Sequence, residues 1–154
     1  MNNPTFQRFL EMCELEAAKK YISEILTIIK NSDCIYDSGI IMPRDHIFDI
    51  YQVRLEIAEE SKRLSEEEIL DFSNCVKSIE ETNSENIGIV NITAENNLYM
   101  IFYEPSQKKI VGIIRFNQID AMKNSEIYND NTIEKGYSSK SEKYSKQNLI
   151  KSWK

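Results

Sequence analysis

IGIVNITAENNLYMIFYEPSQKKIVGIIRF, residues 87–116, is the stretch that decides the fold. Its apolar residues recur with a period close to two, which is the period of a strand. Two interruptions divide it into Ile87–Ala94, Leu98–Glu104 and Lys109–Phe116. Glu95-Asn96-Asn97 and Pro105-Ser106-Gln107-Lys108 have the length and composition of turns, so the runs predict an antiparallel meander. The middle run, from Leu98 to Tyr103, is apolar on both faces. A sheet wetted on one side would alternate, so both faces are expected to be covered, the second by the C-terminal segment or by another chain. Gly88 and Gly112 weaken their strands and predict bulges or close contacts.

Upstream the period lengthens to that of a helix. Thr5 to Lys30 reads as one long helix with two apolar lines, Phe6, Phe9, Leu10, Cys13, Ala17 and Tyr21 beside Leu15, Ala18, Ile22, Ile25 and Ile29. Asn3 or Thr5 is placed to cap it. Cys34–Met42 reads as a loop or short strand, turned by Asp37-Ser38-Gly39. A second helix opens at Pro43 and runs to about Leu64, with Ile47, Ile50, Tyr51, Arg54, Ile57, Ala58 and Leu64 on or near one side. Ser65-Glu66-Glu67-Glu68 is a capping box, and it opens a third helix whose buried line is Ile69, Phe72, Val76 and Ile79. The predicted fold class is therefore α+β: three N-terminal helices, a three-stranded antiparallel β-meander and a C-terminal extension. Residues 1–120 are expected to form one domain. Residues 121–154 form a polar, basic extension, docked or partly disordered, in which Tyr128, Tyr137, Tyr144 and Trp153 interrupt a Ser/Lys-rich tract.

The 154 residues carry a net charge of −6, unevenly placed. Residues 33–104 hold 16 acids against 5 bases, a net of −11, whereas the last twenty residues have a net of +5. An acidic body repels nucleic acid and anionic membrane and attracts a basic protein. No apolar run approaches the length of a membrane span, and Met1-Asn2-Asn3-Pro4 does not resemble a signal peptide. Cys13, Cys34 and Cys75 are odd in number and widely spaced, so they are expected as reduced thiols in a cytoplasmic protein.

The chemistry-bearing residues are sparse. Asp45, His46 and Asp49 have helical spacing for a shared metal, but a capping Asp45 and an exposed His46 explain them better, and no metal or cofactor is expected. A Cys-His nucleophile would need His46 beside Cys34 or Cys75, without a local signature. No GxGxxG or phosphate loop is present. Tyr99 and Tyr103 share a strand face and form the alternative candidate, an aromatic floor for a ligand; sheet core is the commoner meaning. The lysine-rich tail is expected to fold back on the acidic body rather than to hold nucleic acid.

Two helices carry most of the acid. Asp49, Glu56, Glu59 and Glu60 cover the second, and Glu67, Asp71, Asn74, Ser78 and Glu81 follow helical spacing on the third. The expected function is a non-enzymatic acidic binding protein that neutralises or masks a basic protein partner, contacted through Glu56, Glu59, Glu60, Glu67, Asp71 and Glu81. Its most concrete form is an immunity protein inhibiting a toxin nuclease, whose nucleic-acid site an acidic surface can mimic. The alternatives are a viral inhibitor of a nucleic-acid-handling defence complex and a small-ligand or enzymatic domain with a pocket at the Tyr99/Tyr103 face. A homodimer through the doubly apolar sheet is a further expectation. Reversing charge at Glu56, Glu60 and Asp71 is expected to weaken binding and leave folding nearly intact.

Overall fold

The computed structural model describes residues 5–106 and 108–117, and the backbone of 141–144. Among them the chain runs α1 (Phe6–Leu15), α2 (Ile22–Asn31), β1 (Cys34–Asp37), β2 (Ile41–Pro43), α3 (Arg44–Ser61), α4 (Glu66–Glu81), β3 (Asn86–Ala94), β4 (Asn97–Glu104), β5 (Lys109–Phe116) and β6 (Ser141–Tyr144). The class is α+β. The strands form one antiparallel sheet in the order β5-β4-β3-β1-β6, and β2 also pairs with β3.

The meander of β3, β4 and β5 lies where the period of two places it. Val90 pairs with Ile101, and Ile101 with Ile113. Because side chains alternate along a strand, β4 feeds two cores at once. Leu98, Met100 and Phe102 enter one with Ile47, Tyr51, Phe72 and Ile79 of α3 and α4. Tyr99, Ile101 and Tyr103 enter the other with Phe9, Leu10, Cys13, Ile22, Ile25 and Ile29 of α1 and α2. Among the described residues both faces of β4 are thus covered by helices, α3 and α4 on one and α1 and α2 on the other.

The expected single helix over 5–30 is two helices, and the apolar pattern gives the reason. At roughly 100° per residue, Ile22 lies nine residues and about half a turn from Cys13. A straight helix would point its two apolar lines in opposite directions. A break over Glu16–Tyr21, with Tyr21 in the left-handed region at φ 71°, turns both lines onto the same sheet face. Thr5 caps α1, its hydroxyl accepting from the Arg8 amide at 3.2 Å.

The α4 capping box forms as expected. The Ser65 hydroxyl accepts from the Glu68 amide at 3.1 Å, and the Ser65 amide donates to Glu68 Oε1 at 2.7 Å. Arg54 falls on the buried side of α3, 5% exposed, with its guanidinium 5.0 Å from the Tyr51 ring. Gly39 turns β1 into β2 at φ +57°, where a Cβ would stand 2.1 Å from the Ile89 carbonyl oxygen. The two strand glycines mark close contacts. A Cβ on Gly88 would lie 2.2 Å from the Tyr103 ring, and one on Gly112 2.6 Å from Cys75 Sγ. Beside Gly112 the register slips, for Phe102 pairs with Gly112 but Tyr103 with Ile110, which leaves Val111 as a bulge.

The three-helix, three-strand count therefore expands to four helices and a larger sheet among the described residues. Part of the C-terminal extension belongs to that sheet, since β6 pairs with β1, Cys34 opposite Tyr144 and Asp37 opposite Ser141. The remainder of that extension, including Tyr128, Tyr137 and Trp153, lies outside the described residues. No helix among the described residues is long and apolar enough to cross a membrane.

Candidate functional site

The acids of α3 and α4 have unequal fates, set by the angle at which each leaves its helix. On α3 the buried line is Ile47, Tyr51, Arg54 and Ala58. Asp49, Glu56 and Glu60 lie opposite it and are exposed, with Glu59 exposed on the flank toward α4. Val53 stands among them, 54% exposed. None of Glu56, Glu59 and Glu60 is in an ion pair among the described residues. Glu59 and Glu60 sit in the last turn of α3, which holds no basic residue of its own before the C-cap Lys62, and there the helix dipole opposes negative charge. Glu81 is exposed at the equally acidic end of α4.

Glu67 and Asp71 face the other way, toward the β5 edge. Arg115 of β5 donates to Glu24 of α2 at 2.9 and 3.1 Å and to Glu67 of α4 at 2.8 Å, with its guanidinium 4.7 Å from the Tyr21 ring. Asp71 is 4% exposed, which corrects its expected place on a partner surface. One of its oxygens accepts from Lys20 Nζ at 2.9 Å and the other from the Tyr21 hydroxyl. Burial, followed by the hydrogen bond to Asp71, pushes the Tyr21 phenol up to about 12. The segment between α1 and α2 thus wraps the sheet edge and fastens one helix layer to the other. Lys19 contributes by donating to the Ile110 carbonyl at 3.0 Å. The polar stripe Asp71, Asn74 and Ser78 is one wall of a cavity of about 240 Å³, with Lys19, Lys20 and Ile110 on the far side and Cys75 and Gly112 among its lining.

Tyr99 and Tyr103 do share a face, but that face is closed. Tyr99 is 0% and Tyr103 2% exposed, under α1 and α2. The Tyr99 hydroxyl donates to Glu24, and its ring lies edge-on to Tyr21 with centroids 6.4 Å apart. The aromatic floor expected for a ligand is therefore core.

His46 and Asp49 are exposed, and Asp45 pairs with Arg44 at 2.7 Å. Among the described residues no three His, Cys, Asp or Glu side chains are grouped to hold a metal. Cys13, Cys34 and Cys75 are buried free thiols. Burial pushes Cys13 up to about 12, Cys34 up to about 11 and Cys75 further still, so these thiols lack the thiolate character of an activated nucleophile.

A second depression lies between α3 and α4, beside their connection. It has a volume of about 690 Å³ and an apolar lining of Ala58, Leu64, Ile69 and Leu70, with Glu59, Lys62 and Glu66 beside it. Leu70 is 56% exposed. Sequence reasoning passed over Leu70 and Val53, although each is an apolar residue out of phase with the buried line of its helix.

No protein-family model, curated protein or solved structure matches the chain.

Proposed function

We propose that this is a binding protein that neutralises or masks a basic protein partner, with α3 as the centre of the contact surface. The observation that carries the reading is the exposed set Glu56, Glu59 and Glu60, without an ion pair among the described residues, two of them placed against the dipole of their own helix. The acids that face the β5 edge are instead consumed by the fold. Glu24 and Glu67 hold Arg115, and Asp71 holds Lys20 and Tyr21. Those left over create a negative field, and such a field speeds encounter with a positive surface and disfavours an acidic one. A nuclease toxin is the concrete partner, because its nucleic-acid site must carry positive charge. Immunity protein is then the role. The same surface suits a viral inhibitor of a nucleic-acid-handling complex.

Affinity capture from the native cell, identified by mass spectrometry, supplies the partner. Its association rate is then measured against ionic strength for the natural chain and for the variant Glu56→Lys, Glu59→Lys, Glu60→Lys. The rate should fall with salt, and the variant should lose both rate and salt dependence. An acidic partner, or a rate indifferent to salt and to charge reversal, rejects the reading.

A further inference from the structure

The acidic surface accounts for attraction but not for residence, which depends on a desolvated centre inside a polar rim. The depression between α3 and α4 has that composition. Leu70, Ile69 and Leu64 supply its apolar surface, over the buried Ala58, and Glu59 and Glu66 outnumber Lys62 in its lining. Leu70 leaves more than half of its surface in water at 56% exposure, while Phe72, two residues on, is 1% exposed. It is not needed to close the core under α4.

We infer that this groove is the anchor point for the partner, and that it takes an apolar side chain from a basic amphipathic helix whose Lys or Arg residues meet Glu59, Glu66 and the acids of α3. The inference rests on reading the acidic face as a partner surface and adds where and by what the partner is held. Charge selects this occupant over a second copy of the chain, because two copies joined at Leu70 would bring their Glu59 and Glu66 rims together. The chain's own end, with Leu149, Ile150 and Trp153 among Lys151 and Lys154, has similar chemistry. It is the competing occupant that the experiment must separate.

Three synthetic helical peptides of equal length serve as probes of the full chain: a Lys/Leu amphipathic peptide, a Lys/Ala peptide of the same charge without large apolar anchors, and a neutral Gln/Leu amphipathic peptide. Binding is followed by calorimetry at low and moderate salt, for the natural chain and for Leu70→Ser, whose exposed site makes a folding defect unexpected. The Lys/Leu peptide should bind about ten-fold more tightly than the Lys/Ala peptide, and Leu70→Ser should remove that advantage. Equal binding of the two basic peptides, unchanged by Leu70→Ser, overturns the groove and leaves the acidic-surface reading standing. Equal binding of the neutral peptide overturns both, as does no binding at all. Trp153 is the only tryptophan in the chain. A change in its fluorescence on Leu70→Ser, without peptide, shows the chain's own end in the groove and also overturns the proposal.

Discussion

Replacing Asp71 by Ala tests whether the α1–α2 connection fastens the two helix layers. Asp71 accepts two hydrogen bonds with a carboxylate that is 3% exposed. The two are not equal in weight. Lys20 is 58% exposed, so its ion pair ranks with surface pairs, worth about 0–1 kcal/mol. The Tyr21 hydroxyl bonds a charged, buried acceptor, which is worth about 1.5–3 kcal/mol, and losing that acceptor leaves the phenol only Lys20, itself a donor, beside it. The expected loss is about 2–4 kcal/mol, a large share of the roughly 5–15 kcal/mol typical of a folded domain. Urea unfolding followed by circular dichroism reads it as a lower midpoint at unchanged slope. Tyr21→Phe should lose the larger part, Lys20→Met about 1 kcal/mol or less. The double variant Tyr21→Phe, Asp71→Ala should show a coupling of about 1 kcal/mol or more. A loss below about 1 kcal/mol in Asp71→Ala, or additivity in the double variant, would refute the fastening. Asp71→Lys places an ammonium against Lys20 and should unfold the chain, so a charge-reversal test of binding must leave Asp71 alone.

Alkali should destabilise the fold. Cys13, Cys34 and Tyr21 have folded values raised above their ordinary ones, so their stabilising share is complete below about pH 9 and is lost as pH climbs toward about 12, which urea midpoints across that range will register. The three buried thiols should react with an aromatic disulfide reagent only on denaturation; rapid reaction of the native protein contradicts their burial. Gly112→Ala should cost about 1–3 kcal/mol through its clash with Cys75 Sγ, and Cys75→Ala in the same chain should return part of that, as thermal unfolding of the four proteins of the cycle will show. Glu59→Lys and Glu60→Lys should each leave stability unchanged or raise it by about 0.3–1 kcal/mol, because a cation suits the end of α3.

The parts of the fold written in local chemistry were legible in the sequence. The turn at Glu95-Asn96 and the period of two locate β3, β4 and β5. The Ser65 capping box locates the start of α4, and the helical phase puts Arg54 inside. The break between α1 and α2 was not legible by the usual signals, since Glu16–Tyr21 contains neither Gly nor Pro. Its trace was the half-turn offset between Phe9/Cys13 and Ile25/Ile29, read as one wide stripe. Exposure of Glu56 and Glu60 followed from phase alone. Asp71 did not, because it stands at the margin of the buried face of α4 and its partners lie 50 and 51 residues away. The closed face over Tyr99 was likewise a tertiary fact, since only the folded chain shows that α2 lies on it.

The way the chain crosses the β5 edge also bears on self-association. An outermost strand offers its free carbonyls and amides to any other strand, and a protein that leaves such a margin open invites stacking into aggregates. Here Lys19 occupies the Ile110 carbonyl, and Lys20 and Tyr21 reach past the same margin to α4. That places cationic side chains where a foreign strand would have to dock. The turn between the first two helices therefore guards the sheet against its own copies. Mutations that loosen it would be felt first as insolubility at high concentration, before any loss of the folded core.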